Sequence, residues 1–599
     1  MFRENDARRE FFWREKLGPG LIVFLIVALF SVFGLRLWYL QIYKGEYFVR
    51  QSEDNRQRRL SLYAPRGRLL DRDGRLLAIN EPSYSLAIVR EDCGDISETL
   101  SEISRRTGVS LGTLRENYEL GKKNVKAFNN QVLIPDISFT QLAHIQGHAQ
   151  HLPGVHIVVR PQRHYVAPKV LSHVLGYVAQ PNEKELIANQ ELGPGDNVGK
   201  QGLEAVLEDR LRGDKGLKQL EVDAVGRIIR EETLVSPRPG EDIRLSLDLE
   251  LQRKVYGLMQ DKSGGVVVMN PDTGRIMSLV SSPGYDSNSL ARGLSSEKWQ
   301  ELATDPAHPL QNRCIQSTYP PGSIFKLVVA ASGLMHEEIE PEKTVYCSGK
   351  YKLGRREFRC WRRKGHGRVD FERSLVESCD VYYYKLGEDL GPDRLAEFAR
   401  ECGFGQKTGV DFPYENTGLI PDRAWKKKRF GESWQGGETL NMSIGQGAVQ
   451  VTPLQVAGYV SALLNGGRLY RPSFILSRSR LDPKEIPVDA KTRDMIVRSM
   501  IKTVEEPHGT AWRLRTSDAT IGGKTGTAQV VKLLDKYEDM DLDEIAYRFR
   551  DHAWMASFGI KGGKRYVVVA LVEHGGHGSS AAGPIVKEVY DYLFSGDGA

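Results

Sequence analysis

Residues 17–35 carry no charge, whereas the sixteen before them mix Arg3, Arg8, Arg9, Arg14 and Lys16 with four acids. Nineteen uncharged residues in a helix span about 28 Å, enough to cross a bilayer. Trp13, Trp38, Tyr39 and Tyr43 flank the run, as suits a membrane interface, and the basic N-terminal end favours the cytoplasm. The pattern predicts a cytoplasmic tail at 1–16 and an uncleaved anchor at 17–42. The competing reading, a cleaved signal peptide, calls for a small-x-small cleavage site before Trp38 and a shorter apolar run, and neither is present. No later stretch is apolar enough to cross back, so the chain from about residue 45 is expected outside the cytoplasm.

Residues 43–240 alternate short apolar runs with turn residues, as in Arg66-Gly67-Arg68-Leu69-Leu70-Asp71-Arg72-Asp73-Gly74-Arg75 followed by a strand at 76–79. Between about 96 and 142 the apolar spacing becomes helical. Gly199-Lys200-Gln201-Gly202-Leu203-Glu204 opens an amphipathic helix ending near Gly213, and residues 222–227 read as a strand running into a turn. This part carries no nucleophile-base pair and no metal-like cluster. It is expected to be a mainly-β pedestal with a helical insertion.

From 241 to 599 the pattern predicts a helix at 251–260, a buried strand at 265–270, a turn at Pro271-Asp272-Thr273-Gly274 and a second strand at 275–281. Strands at 521–531, 552–559 and 566–573 and a helix at 585–594 close the chain. Strands at both ends with helices between them predict an α+β domain. Its antiparallel sheet would be covered by helices, with first and last strands meeting in it.

Composition narrows the function. With 40% apolar and 27% charged residues the chain is ordinarily globular, and 599 residues are too many for one core. A net charge of +6, spread along the chain, gives no reason to expect nucleic acid as a partner.

The chemistry starts at Pro320-Pro321-Gly322-Ser323-Ile324-Phe325-Lys326, where Pro and Gly break the chain and a helix is expected from about Ser323. Ser323 and Lys326 are then one turn apart, and a desolvated lysine can take the proton of a serine nucleophile. Ser378-Cys379-Asp380 begins 55 residues after Ser323, and Lys524-Thr525-Gly526-Thr527 begins 146 residues after Ser378. Each motif alone is common; the ordered set beside a membrane anchor is not.

With these motifs the chain resembles the penicillin-binding proteins, serine acyl-transferases built on S-x-x-K, S-x-N or S-x-D, and K-T-G. The anchor, the Arg66-Gly67 and Gly199 to Glu204 segments, Ser443-Ile444-Gly445-Gln446-Gly447 and His552-Ala553-Trp554 resemble the class B, monofunctional branch, in its elongation type. The resemblance implies that Ser323 attacks the penultimate D-alanine of a peptidoglycan stem peptide, that Lys326 is the general base, and that Ser378 relays a proton. It implies that Lys524 binds the substrate carboxylate and keeps Lys326 neutral, that Thr525 is a carboxylate ligand, and that the N–H groups of Ser323 and Thr527 form the oxyanion hole. Gly522, Gly523 and Gly526 fit a strand against which a peptide lies closely.

Implied besides are cross-linking of stem peptides, covalent inhibition by β-lactams and no organic cofactor. A RodA-type glycosyltransferase and an MreC-type scaffold are the implied partners. The expected place is the inner membrane, single-pass, with the catalytic domain periplasmic. Asp380 departs from the commoner asparagine, and an ionised carboxylate accepts hydrogen bonds but cannot donate them. The rival readings are a D,D-carboxypeptidase or β-lactamase that passes the acyl group to water, and a non-catalytic β-lactam sensor or scaffold.

Three of the six cysteines lie close together. Cys347, Cys360, His366 and Cys379 offer three sulfurs and an imidazole, a donor set that suits structural zinc. A Cys347–Cys360 disulfide and unrelated free thiols are the alternatives.

Overall fold

The computed structural model describes residues 4–49, 57–125, 127, 129–189, 191–193, 196–222, 228–476, 482–530 and 545–595. The turn expected at 223–227 and the strand end at Val531 lie outside the described residues. The chain forms two compact units, one of residues 1–64, 84–160 and 214–238, the other of residues 65–83, 161–213 and 239–599.

The first unit begins with the helix Glu4–Trp38, and Gly20–Tyr43 is long and apolar enough to cross a membrane. Its apolar side chains are exposed, Phe30 and Leu35 among them. An antiparallel three-stranded sheet follows, Gln57–Leu62 beside Gly216–Val222 beside Ile228–Val235. The expected helical insertion consists of Ile96–Thr107, Leu111–Asn124 and Phe139–Gln146. Asp95, Ser110 and Ser138 cap their first turns with side-chain oxygens. The insertion is not wholly helical, because Gln131–Ile134 is a strand paired with residues 86–88. Its buried Gln131 amide bonds the Asn117 and Tyr118 carbonyls, fixing it to the preceding helix.

In the second unit, the helix expected over 202–213 is broken at Leu207 into Gly202–Val206 and Glu208–Leu211. A buried ion cluster lies beside the break. Glu204, fully buried, accepts from Arg66 Nε at 2.5 Å and Arg163 Nε at 2.7 Å, and Glu208 meets Arg66 Nη2 at 2.8 Å. Burial alone would raise the Glu204 carboxyl, but Arg163 and Arg66 outweigh it and hold it below the usual range.

The α+β domain has the expected sheet. We label its strands β1 (Gly264–Asn270), β2 (Arg275–Ser282), β3 (Thr520–Ala528), β4 (His552–Lys561) and β5 (Lys564–Val572). They run antiparallel in the order β2-β1-β5-β4-β3, so the first strands do meet the last and β3 forms an edge. Its helices are α1 (Leu249–Leu258), α2 (Lys326–Met335), α3 (Asp380–Leu390), α4 (Pro453–Leu464), α5 (Ala490–Glu505) and α6 (Gly578–Phe594). The closing helix starts seven residues before the expected 585, with Pro584 inside it.

Alternation along the strands sorts the core into two layers. Val266 and Val268 of β1 with Val568 and Ala570 of β5 face α1 and α6. Val267 and Met269 with Val567 and Val569 face the opposite core, which contains α2, α3 and α4. Strands buried on both faces read as continuous apolar runs, and this is why GVVVMN was legible as a strand.

Glu204→Gln keeps the side-chain volume and removes the charge that compensates two buried arginines. It is expected to cost about 3 kcal/mol of stability, read by urea or thermal unfolding. In the wild type this contribution is complete above about pH 4.3 and fades as pH falls through the lower folded value.

Candidate active site

Ser323 does not start the α-helix. Gly322–Ile324 forms a 3₁₀ turn, Phe325 N–H donates to Gly322 O at 2.9 Å, and α2 begins at Lys326. The cause is Gly322, at φ +53°, whose added Cβ would lie 2.5 Å from Thr527 O. Glycine here lets the serine turn press against β3. The turn is held from behind as well. Gly322 N–H donates to Gly445 O at 3.0 Å, Gln446 Nε2 to Thr527 O at 3.0 Å, and Trp554 Nε1 to Pro320 O at 3.0 Å. Gly445 is left-handed, and a Cβ on it would meet Gly322 O at 2.2 Å. The Ser443 to Gly447 stretch is thus the backing of the serine turn, a role that its sequence did not reveal.

Lys326 is fully buried and sits 2.7 Å from Asp380 Oδ1, 2.8 Å from Ser378 O and 3.2 Å from Ser378 Oγ. Lys524, equally buried, reaches the same Ser378 Oγ at 2.8 Å. Ser378 stands in the left-handed region at φ +55°, which aims its carbonyl and hydroxyl together at the two amines. The three motifs therefore converge on one point. Among the described residues, no hydrogen bond joins the Ser323 hydroxyl to Lys326 Nζ.

Lys326 is ion-paired with Asp380. Burial holds Lys524 well below its ordinary value, and the Lys326 charge adds to this. Burial likewise raises the Asp380 carboxyl, against the pull of Lys326.

Thr525 bonds Thr510 Oγ1 at 2.9 Å, and Thr525 and Thr527 are half-buried on the edge strand. A Cβ on Gly522 would meet the Phe558 ring at 2.3 Å, and one on Gly526 the Pro321 carbonyl at 2.8 Å. Both glycines admit the protein's own core.

The four candidate metal ligands come together. One ligand atom from each of Cys347, Cys360, His366 and Cys379 lies within 4.8 Å of all the others, and all four residues are buried. His366 Nδ1 is 3.5 Å from the sulfurs of Cys347 and Cys360. All six cysteines are unpaired, so the Cys347–Cys360 disulfide is absent. The hydrogen bond between Cys360 and Cys379 pushes the Cys360 thiol far down and the Cys379 thiol up. His366 Nε2, buried without a hydrogen-bond partner, lies 3.9 Å from Glu377.

Trp361 is the residue that sequence reasoning missed. Its N–H donates to Asp380 Oδ2 at 2.8 Å and its Nε1 to Ser378 O at 3.1 Å, bracketing the second motif. The available signal was its position directly after Cys360.

Residues 264–591 match the penicillin binding protein transpeptidase domain and residues 61–245 the penicillin-binding protein dimerisation domain. The chain is similar to the peptidoglycan D,D-transpeptidase MrdA of Haemophilus influenzae, 32% identical over 99% of this chain and 93% of that one. It is similar in structure to the chain solved in the complex between penicillin-binding protein PBP2 and MreC from Helicobacter pylori. The TM-score is 0.78 at 32% identity, covering 90% of this chain and 100% of the other. A chain solved in a study of structural coordination of polymerization and crosslinking by a peptidoglycan synthase complex has a TM-score of 0.72 at 30% identity. That match covers 96% of this chain and 98% of the other.

Lys524→Met removes a buried amine while keeping the bulk. The variant is expected to melt at the same temperature as the wild type or higher. Because the folded chain holds Lys524 below its unfolded value of about 10.4, wild-type stability should rise with pH through that window. The rise should be flatter in the variant, as thermal melts at several pH values would show.

Proposed function

Because this chain belongs to the penicillin-binding protein transpeptidase family and is a peptidoglycan D,D-transpeptidase, we propose that the centre around Ser323 cross-links stem peptides through an acyl-enzyme. The observation that carries this reading is the meeting of Lys326 and Lys524 on Ser378 Oγ, directly behind the serine turn.

The distances support one proton route. Both amines reach the Ser378 hydroxyl, Lys524 at 2.8 Å and Lys326 at 3.2 Å, so a proton can leave Lys326 by that hydroxyl once the substrate carboxylate raises the proton affinity of Lys524. Lys326 is then free to accept the Ser323 proton as its oxygen attacks the penultimate D-alanine carbonyl. The Ser323 and Thr527 N–H groups hold the oxyanion, and the leaving D-alanine amine regains a proton through Ser378. Lys524, now protonated, faces the substrate carboxylate with Thr525. An amine of a neighbouring stem peptide resolves the acyl-enzyme. Asp380 keeps Lys326 in place and, accepting only, fits a substrate amide N–H rather than a carbonyl. β-Lactams acylate the same serine.

We read the chain as tail 1–16, anchor 17–42, pedestal 43–240 and catalytic domain 241–599. The anchor lies in the inner membrane, with the N-terminus cytoplasmic and the catalytic domain periplasmic. The basic first sixteen residues and the interfacial aromatics support that orientation. Partnership with an MreC-type scaffold and a RodA-type glycosyltransferase during cell-wall elongation is supported by the assemblies in which the similar chains were solved.

Cys347, Cys360, His366 and Cys379 fit a structural zinc ion, whose charge would stabilise the thiolates. The support is the donor set itself, its burial, and the orphaned His366 Nε2 facing Glu377, the carboxylate that a ligating histidine commonly meets. The cluster would fix the loop that sets Ser378 and Asp380.

Intact-mass analysis after penicillin treatment, with peptide mapping, should place one adduct on Ser323 and none on Ser323→Ala. An adduct elsewhere would sink the catalytic reading. Elemental analysis should find about one zinc per chain. Cys379→Ser should lower zinc content and slow acylation without removing the nucleophile; if both are unchanged, the zinc reading fails.

A further inference from the structure

The segment that leads into the serine turn is anchored by a side chain at the end of β5. Tyr319 N–H donates to Val451 O at 2.9 Å and Val451 N–H to Tyr319 O at 2.9 Å, so the Tyr319 backbone is tied to the chain just after the Gly445 loop. Its buried ring lies edge-on to His552 and Trp554 of β4, with centroids 5.4 and 6.2 Å apart. Its hydroxyl donates to Glu573 Oε1 at 2.7 Å, on the residue directly after β5.

Glu573 is itself fixed. Arg313 Nε donates to its other oxygen at 3.0 Å, and the far side of that guanidinium donates to Ala307 O at 2.8 Å and His308 O at 3.3 Å. Glu573 N–H donates to Ser263 O at 2.8 Å, directly before β1. A buried arginine held in this way presents the carboxylate to Tyr319 in one orientation. Between Tyr319 and Ser323 stand Pro320, Pro321 and Gly322. Proline holds φ near its ring-fixed value, so two in succession make a stiff link, and a shift of Tyr319 reaches the serine. The strand register shows what the carboxylate is aligned with. Thr527 lies opposite Ala553, and Ala553 opposite Val572, the residue before Glu573.

We propose that Glu573 is a positioning residue for the oxyanion hole. Through the Tyr319 hydroxyl it sets the Ser323 turn against the row of the sheet that ends at Thr527. This rests on Ser323 being the acylated residue, with its N–H and that of Thr527 as the oxyanion donors. The two donors belong to different segments, a turn and an edge strand, and a tie between those segments fixes their spacing. Donors displaced by a fraction of an ångström still admit a ground-state carbonyl but stabilise the tetrahedral oxyanion less. Glu573 and Tyr319 therefore act on the acylation step more than on binding.

The test uses full-length protein in detergent, with penicillin acylation of Ser323 followed by intact mass over a range of penicillin concentrations. Tyr319→Phe keeps the ring and removes only the bond to Glu573. It should lower the saturating acylation rate about tenfold and leave the half-saturating concentration within about twofold of the wild type. The melting temperature should stay within about 3 °C. A boronic acid built on D-Ala-D-Ala forms a tetrahedral adduct with Ser323, and its affinity should also fall about tenfold. Glu573→Gln keeps an acceptor for Tyr319 and should retain the rate within about threefold. Glu573→Met should match Tyr319→Phe, and the two combined should cost no more than either alone. If Glu573→Met does not fold because Arg313 is left unpaired, Tyr319→Phe and Glu573→Gln decide the question. A saturating rate in Tyr319→Phe within about twofold of the wild type overturns the proposal. So does a loss that falls on the half-saturating concentration, or one that is additive between Tyr319→Phe and Glu573→Met. If wild-type protein forms no penicillin adduct on Ser323, the catalytic reading falls first and the positioning role with it. An adduct whose rate is indifferent to Tyr319→Phe removes the positioning role alone.

Discussion

Two lysines and a carboxylate are buried together, and the surrounding structure is arranged around that cost. Removing an ammonium or a carboxylate from water costs several kcal/mol even after relaxation, and Lys326, Lys524 and Asp380 are all buried. The Lys326–Asp380 pair offsets two of these charges. The remaining cost falls on Lys524, whose amine burial holds well below its ordinary value. Both lysines are fully buried, and what distinguishes them is Asp380, 2.7 Å from Lys326.

Holding this pocket demands close backbone approaches that only certain residues permit. Gly322 against Thr527 O, Gly445 against Gly322 O and Gly526 against Pro321 O bring the serine turn, its backing loop and the edge strand into contact. Ser378 accepts a left-handed backbone so that its carbonyl and hydroxyl both face the lysines. Trp361 then ties the Cys/His cluster to both ends of the second motif. A rigid surround of this kind favours catalysis because the reacting groups need no rearrangement when charge develops.

Much of the fold was legible because it is written in local periods. β1 and β2 are apolar runs separated by Pro271-Asp272-Thr273-Gly274, and the membrane helix is an uncharged stretch. The reading was weakest where a local pattern met a distant partner. The spacing over 96–142 is helical on the whole, yet pairing with residues 86–88 makes Gln131–Ile134 a strand. The helix after Gly202 breaks at Leu207, which its amphipathic spacing does not show. The close approach of Phe558 to Gly522 and of Pro321 O to Gly526 is likewise a matter of distant partners.

The sequence by itself determined the residue types, their order and the membrane anchor, because these depend on composition and on spacings of a few residues. It also named the members of the catalytic and Cys/His clusters. What only the tertiary structure decided is which charge faces which. Lys326 and Asp380 are 54 residues apart and Lys524 is 146 beyond Ser378, so their pairing follows from how α2, α3 and β3 pack. That packing gave the carboxylate to Lys326 and set Lys524 against the Ser378 hydroxyl. Distances between side chains far apart in sequence are set by the whole core, whereas a motif records only that the side chains exist.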